Sequence, residues 1–133
     1  MKIVLDTYVF ASGIFFGGPP GQILEAWHDG RVTLVVSLEI LDEYQRVGEE
    51  LAVHFPEIDL SPFLELLALT GEFYDCPPLA ERVCTDPDDD KFFACALASG
   101  CSCIVSGDKH LLQASGYGDV EVLRPRQFVE QHL

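Results

Sequence analysis

The chain has 133 residues, 48% of them hydrophobic and 23% charged, a balance that supports one folded core and excludes a disordered chain. Its 22 acidic residues against 8 basic ones give a formal net charge of −14, the reverse of a protein that holds nucleic acid on its own basic surface. No apolar run approaches the roughly 18–20 residues of a membrane span, so no membrane partner is expected, and MKIVLD is too short an apolar run for a secretory leader.

Lys2 to Leu5 (KIVL) is a short apolar run ending at Asp6, the pattern of a parallel strand buried on both faces. Residues 7–21 read as a long connection with a helical turn at Val9 to Ser12. Pro19-Pro20 then open a helix that Gly30 stops. Val32 to Val36 is a second buried strand. Ser37 suits the cap of a long helix whose apolar stripe is Ile40, Tyr44, Val47 and Leu51. Glu43 borders that stripe and is the acid on this helix best placed to face inward, whereas Asp42, Arg46 and Glu49 point away.

Ser61-Pro62 open a further helix, and EFYDC (72–76) reads as a short strand near an edge. The acidic run Asp86, Asp88, Asp89 and Asp90 leads into an apolar helix that Gly100 ends. Asp88 is expected to cap it, Asp86 and Asp89 to face solvent, and Asp90 to lie over its buried side. Cys103 to Ser106 is a fourth buried strand, followed by Asp108. A short helix (110–116), a fifth strand (Val120 to Leu123) and a terminal helix from Pro125 complete the chain. Strands alternating with helices predict a single domain, residues 1–133. Its fold is a three-layer α/β/α sandwich with a central, mostly parallel five-stranded sheet. In such sheets ligands bind beyond the carboxyl ends of the strands, where the strand order reverses. Asp6 and Asp108 meet there if strands one and four are neighbours.

The five cysteines are odd in number and lack a zinc-ribbon spacing, so they read as free thiols in a reducing cytoplasm. The four histidines are scattered and read as surface residues. Asp86-x-Asp88-x-Asp90 is not a calcium loop, because Lys91 and Leu97 stand where Gly and Glu are required. Tyr8 stands where an aspartyl phosphatase needs its second acid, and no glycine-rich phosphate loop occurs. Carboxylates with a divalent cation remain. Oxygen ligands suit Mg2+ or Mn2+, the equipment for phosphodiester hydrolysis.

VLDTYV at residues 4–9, SLEILDEYQRV at 37–47, DPDDDKFFACALASG at 86–100 and IVSGDKHLL at 104–112, in this order and spacing, resemble the PIN-domain family, and within it the toxin components of prokaryotic toxin–antitoxin pairs. The resemblance implies a Mg2+- or Mn2+-dependent ribonuclease of single-stranded RNA. It implies Asp6, Glu43, Asp90 and Asp108 as catalytic and metal-binding acids, with Ser106 as an auxiliary hydroxyl. It implies a homodimer and a small antitoxin partner, whose basic character the −14 charge suits. The family usually reads Asp-Thr-Asn where this chain has Asp6-Thr7-Tyr8, and a tyrosine cannot copy an amide's paired donor and acceptor. That departure supports an alternative reading: a catalytically impaired fold kept as a binding module.

Overall fold

The computed structural model describes residues 1–133. In chain order the elements are β1 (Lys2–Leu5), α1 (Thr7–Phe15), α2 (Gly18–His28), β2 (Thr33–Val36), α3 (Leu38–His54), α4 (Ser61–Thr70) and β3 (Glu72–Phe73). They continue with α5 (Asp90–Ser99), β4 (Cys103–Val105), α6 (Lys109–Gln113), β5 (Glu121–Leu123) and α7 (Pro125–His132). All strand pairs are parallel, in the order β3-β2-β1-β4-β5. Ile3 lies opposite Leu34, Val4 opposite Ile104, and Val105 opposite Leu123. The sheet is therefore wholly parallel, in a three-layer α/β/α sandwich. No helix is long and apolar enough to cross a membrane.

Every residue of Ile3–Leu5, Leu34–Val36 and Cys103–Val105 is buried. These are the three central strands, and helices on both faces leave them no exposed side, which is why they read as unbroken apolar runs. The order reverses between β1 and β4, so both carboxyl ends open into one crevice. The Asp6 N–H donates to the Val105 carbonyl at 3.0 Å and carries the β1–β4 ladder up to that crevice.

Two elements differ from the sequence reading. Thr7–Phe15 is a continuous helix rather than a connection with one turn. Gly13 lowers the helix signal, but it lets α1 touch α2. A Cβ there would lie 2.6 Å from Leu24 Cδ1 and 2.9 Å from the Pro20 carbonyl oxygen. Tertiary packing outweighs the roughly 1 kcal/mol propensity cost of the glycine. β3 is only two residues long, at the sheet edge, with Tyr74 N adding one further bond to the Val36 carbonyl at 3.0 Å.

Three contacts fix the helices around the crevice. Ser37 Oγ accepts from Ile40 N at 3.2 Å and starts α3. The Tyr44 hydroxyl, fully buried, donates to the Leu5 carbonyl at 2.5 Å, while its ring stacks on Phe10 at 4.3 Å. That locks α3 and α1 to the end of β1. Gly100, at φ +70°, ends α5 in the left-handed conformation that glycine adopts without strain. All five cysteines are free thiols.

Candidate functional site

The chain leaves β1 at Asp6 and turns directly into α1, so the Asp6 carboxylate stands at the mouth of the crevice. It is only 5% exposed. Ser106, fully buried at the end of β4, donates its hydroxyl to Asp6 Oδ2 at 2.7 Å. The same hydroxyl oxygen accepts from Asp108 N at 2.9 Å. Asp108 then caps α6, with Oδ1 accepting from His110 N at 2.7 Å. One hydroxyl thus orients the carboxylate after β1 and the backbone that carries the carboxylate after β4.

A cleft of about 180 Å³ opens over this pair, lined by Asp6, Tyr8, Glu43, Arg46, Val47, Asp86, Asp88, Asp89 and Asp108. Glu43 reaches it from α3. Its Oε1 accepts from the buried Thr7 hydroxyl and its Oε2 pairs with Lys91 Nζ at 2.5 Å. A second cleft, of about 340 Å³, shares Asp6, Tyr8 and Asp108 and continues past Ser12, Pro20, Gly107 and Pro125. Tyr8 is the wall common to both, and 65% of it is exposed. The exposed residues Lys109, Arg124 and Arg126 neighbour Asp108 and Pro125, two of the residues that line this second cleft, in the chain.

Of the acids expected in the site, Asp6, Glu43 and Asp108 come together and Ser106 lies beneath them. Asp90 does not join them. Asp86 caps a 3-10 turn at Pro87–Asp89, its Oδ1 accepting from Asp88 N at 3.0 Å. That turn delivers Asp89 into the cleft. The next residue along a helical path points about 100° further round. Asp90 therefore faces the preceding loop, where its carboxylate accepts from Val83 N at 3.1 Å and Cys84 N at 2.7 Å. It lines a separate cavity of about 410 Å³ with Ser37, Cys76 and Ala94.

The acidic run differs from expectation in the roles of its members. Asp86 is the cap, Asp88 pairs with Lys91 at 2.9 Å, and Asp89 is half-buried rather than solvent-facing. His110, expected on the surface, puts Nδ1 3.7 Å from Asp108 Oδ1 and 4.0 Å from Asp89 Oδ2. Arg46, expected to point away, lines the cleft mouth. Thr7 and Lys91, which carry no signal in the sequence, both hold Glu43. His110 is drawn in by the short helix that Asp108 caps, which puts it two residues after that acid.

The electrostatics follow from crowding. Burial pushes the Asp6 carboxyl up to about 6, with Asp108 and Glu43 adding to the shift and the Ser106 hydrogen bond opposing it. Asp89 is likewise pushed up to about 6, first by burial, then by Asp108, Asp86 and Asp6, with Lys91 opposing. Six carboxylates (Asp6, Glu43, Asp86, Asp88, Asp89 and Asp108) line the cleft with the guanidinium of Arg46, and the Lys91 ammonium pairs with two of them, Glu43 and Asp88. One ligand atom from each of Asp89, Asp108 and His110 lies within 4.8 Å of the others. A divalent cation fits this donor set. Hard oxygen donors predominate, and positive charge there would relieve the repulsion that now favours protonation.

A doubly wound parallel sheet with a carboxylate cleft at its switch point defines an α/β protein with a candidate cation site. The chain belongs to the PIN-domain family: the family's PIN domain model matches residues 2–110, from β1 into α6. PIN domains are generally nucleases and typically bind a divalent metal. The match spans every acid of the cleft. No curated protein matches the chain.

Proposed function

We propose that this chain, as one PIN domain over residues 1–133, is a Mg2+- or Mn2+-dependent endoribonuclease that hydrolyses phosphodiester bonds of single-stranded RNA. Asp6, Asp89 and Asp108 would hold the cation, with Glu43 beside them as a further ligand or as a proton acceptor. The observation that carries the reading is the Asp6–Ser106–Asp108 hydrogen-bonded chain. It is a pair of acids from adjacent strands held in place under a cleft whose crowded carboxylates raise the proton affinity of Asp6 and Asp89, an environment that a cation would relieve. When bound, the metal would neutralise the phosphate and make a water molecule more acidic.

The protein's own groups do the rest. Ser106 keeps Asp6 oriented, the α6 start keeps Asp108 oriented, and Thr7 holds Glu43. The two clefts that meet at Asp6 and Asp108 give a single strand a path through the site, with the Tyr8 ring available to stack a base. Lys109, Arg124 and Arg126, exposed and adjacent in the chain to Asp108 and Pro125, are suited to backbone phosphates.

The reading extends to a cytoplasmic homodimer acting as the toxin of a toxin–antitoxin pair. The −14 charge and the acidic cleft favour a small antitoxin that inserts a basic segment. The alternative, a catalytically impaired binding module, rests on Tyr8, which stands at the cleft mouth where the family's usual amide would be.

Cleavage of a single-stranded RNA panel with Mn2+ separates the two. Wild type should cleave and Asp6→Asn should not. Cleavage by Tyr8→Asn but not by wild type would favour the binding module. Absence of Mn2+ binding at millimolar concentration would remove the cation site altogether.

A further inference from the structure

Lys91 is the only basic residue among the buried ones, with 4% of its side chain exposed. It sits in the first turn of α5, lines the cavity that holds Asp90, and touches the acidic cleft through Glu43 and Asp88. Its ammonium group has three N–H donors, and all three are used: Glu43 Oε2 at 2.5 Å, Asp88 Oδ2 at 2.9 Å and the Asp88 carbonyl oxygen at 2.9 Å. No donor is left for a substrate phosphate. The other oxygen of Glu43 accepts from Thr7. Both oxygens of Glu43 are therefore engaged by the protein, and its charge is countered by an ammonium that it shares with Asp88.

A cation coordinated through Glu43 would be driven against this ammonium by direct charge repulsion. Asp6, Asp89 and Asp108 have no lysine or arginine in contact, so they remain the cation-seeking side of the cleft. We propose that Lys91 is a positioning residue that takes the place of a second metal ion. It neutralises and holds Glu43, so that the cleft admits one divalent cation, on Asp6, Asp89 and Asp108. The inference rests on the cation site proposed above and deepens it by assigning its stoichiometry and removing Glu43 from the ligands.

Calorimetric titration with Mn2+ alone tests it on the whole chain, alongside the metal-free thermal midpoint of each variant. Wild type should bind one equivalent. Lys91→Gln leaves Glu43 without its cation. It should bind two equivalents and show a lowered metal-free midpoint that Mn2+ restores. The paired variant Glu43→Gln with Lys91→Gln removes both charges together. It should again bind one equivalent, with a Kd within about threefold of wild type. That pair decides the matter if Lys91→Gln fails to fold. Two equivalents in wild type would overturn the proposal, as would a Lys91→Gln protein that binds one equivalent as wild type does. Loss of the single site in the paired variant would also overturn it, by making Glu43 a ligand. No binding by wild type at all would instead refute the cation site itself.

Discussion

Replacing Asp6 by Asn should make the metal-free protein more stable while destroying the cation site. The Asp6 carboxyl is almost fully buried, and its pKa is pushed from 3.8 to about 6. A raised carboxylate pKa means that the folded state binds the proton more tightly than the unfolded state. Folding stability therefore falls as pH rises from about 4 to about 6, and the full penalty is present at neutral pH. A shift of about 2 units corresponds to about 3 kcal/mol at pH 7.5. By the same linkage, roughly half remains at pH 5. Asn removes the charge but keeps an oxygen for the Ser106 hydroxyl.

For a chain of this length about 1 kcal/mol moves the midpoint by roughly 3–4 °C, so Asp6→Asn should melt about 10 °C above wild type in EDTA at pH 7.5. The gap should narrow to about half at pH 5. With millimolar Mn2+ the order should contract or reverse, because only wild type gains binding energy. Thermal denaturation followed by circular dichroism reads all three. An Asp6→Asn protein no more stable than wild type in EDTA at pH 7.5, or a gap that does not narrow on acidification, would refute this account of the Asp6 environment.

Asp89→Asn should weaken Mn2+ binding at least about tenfold, because it removes a ligand charge from the cleft. Asp90→Asn should leave that affinity within about threefold. It should instead cost about 1–3 kcal/mol in urea unfolding, by weakening the bonds from Val83 and Cys84 N–H. The opposite pattern in calorimetry would return Asp90 to the site. Ser106→Ala removes the bond that lowers the Asp6 pKa, so Mn2+ affinity should drop more at pH 6 than at pH 8. An equal loss at both would mean the hydroxyl acts only in packing. Tyr44→Phe removes the donor to the Leu5 carbonyl and should cost about 1–2 kcal/mol in the same unfolding assay. Tyr8→Ala should raise KM for single-stranded RNA by about tenfold, the scale of one lost base stack, with little change in kcat. An unchanged KM would remove Tyr8 from the substrate path.

Much of the fold was legible in the sequence because it rests on local facts. The runs KIVL, VTLVV and CIVS can be buried on both faces only in a parallel sheet, and each carries its pattern within four or five residues. Asp6 and Asp108 follow two of those runs, so the parallel sheet puts both at its carboxyl edge. Glu43 was legible from the stripe of Ile40, Tyr44 and Val47 beside it. The helix cap at Ser37 and the stop at Gly100 were legible from single residue types.

What the sequence alone determined was thus the layered architecture, the edge of the sheet that bears the acidic cleft, and three of the acids there. Only the tertiary structure decided which carboxylate of the Asp88–Asp90 run turns inward. That choice depends on a 3-10 turn and on the amides of Val83 and Cys84, which claim Asp90 and leave Asp89 to the cleft. It also decided that α1 is a full helix, since Gly13 is explained only by the surface of α2 against it. And it decided the place of Lys91, whose pairing with Glu43 joins residues 48 positions apart across the cleft. Strand patterns repeat every two residues and can be read from a short window. The direction of one side chain at a helix start is set by partners that meet only when the chain has folded.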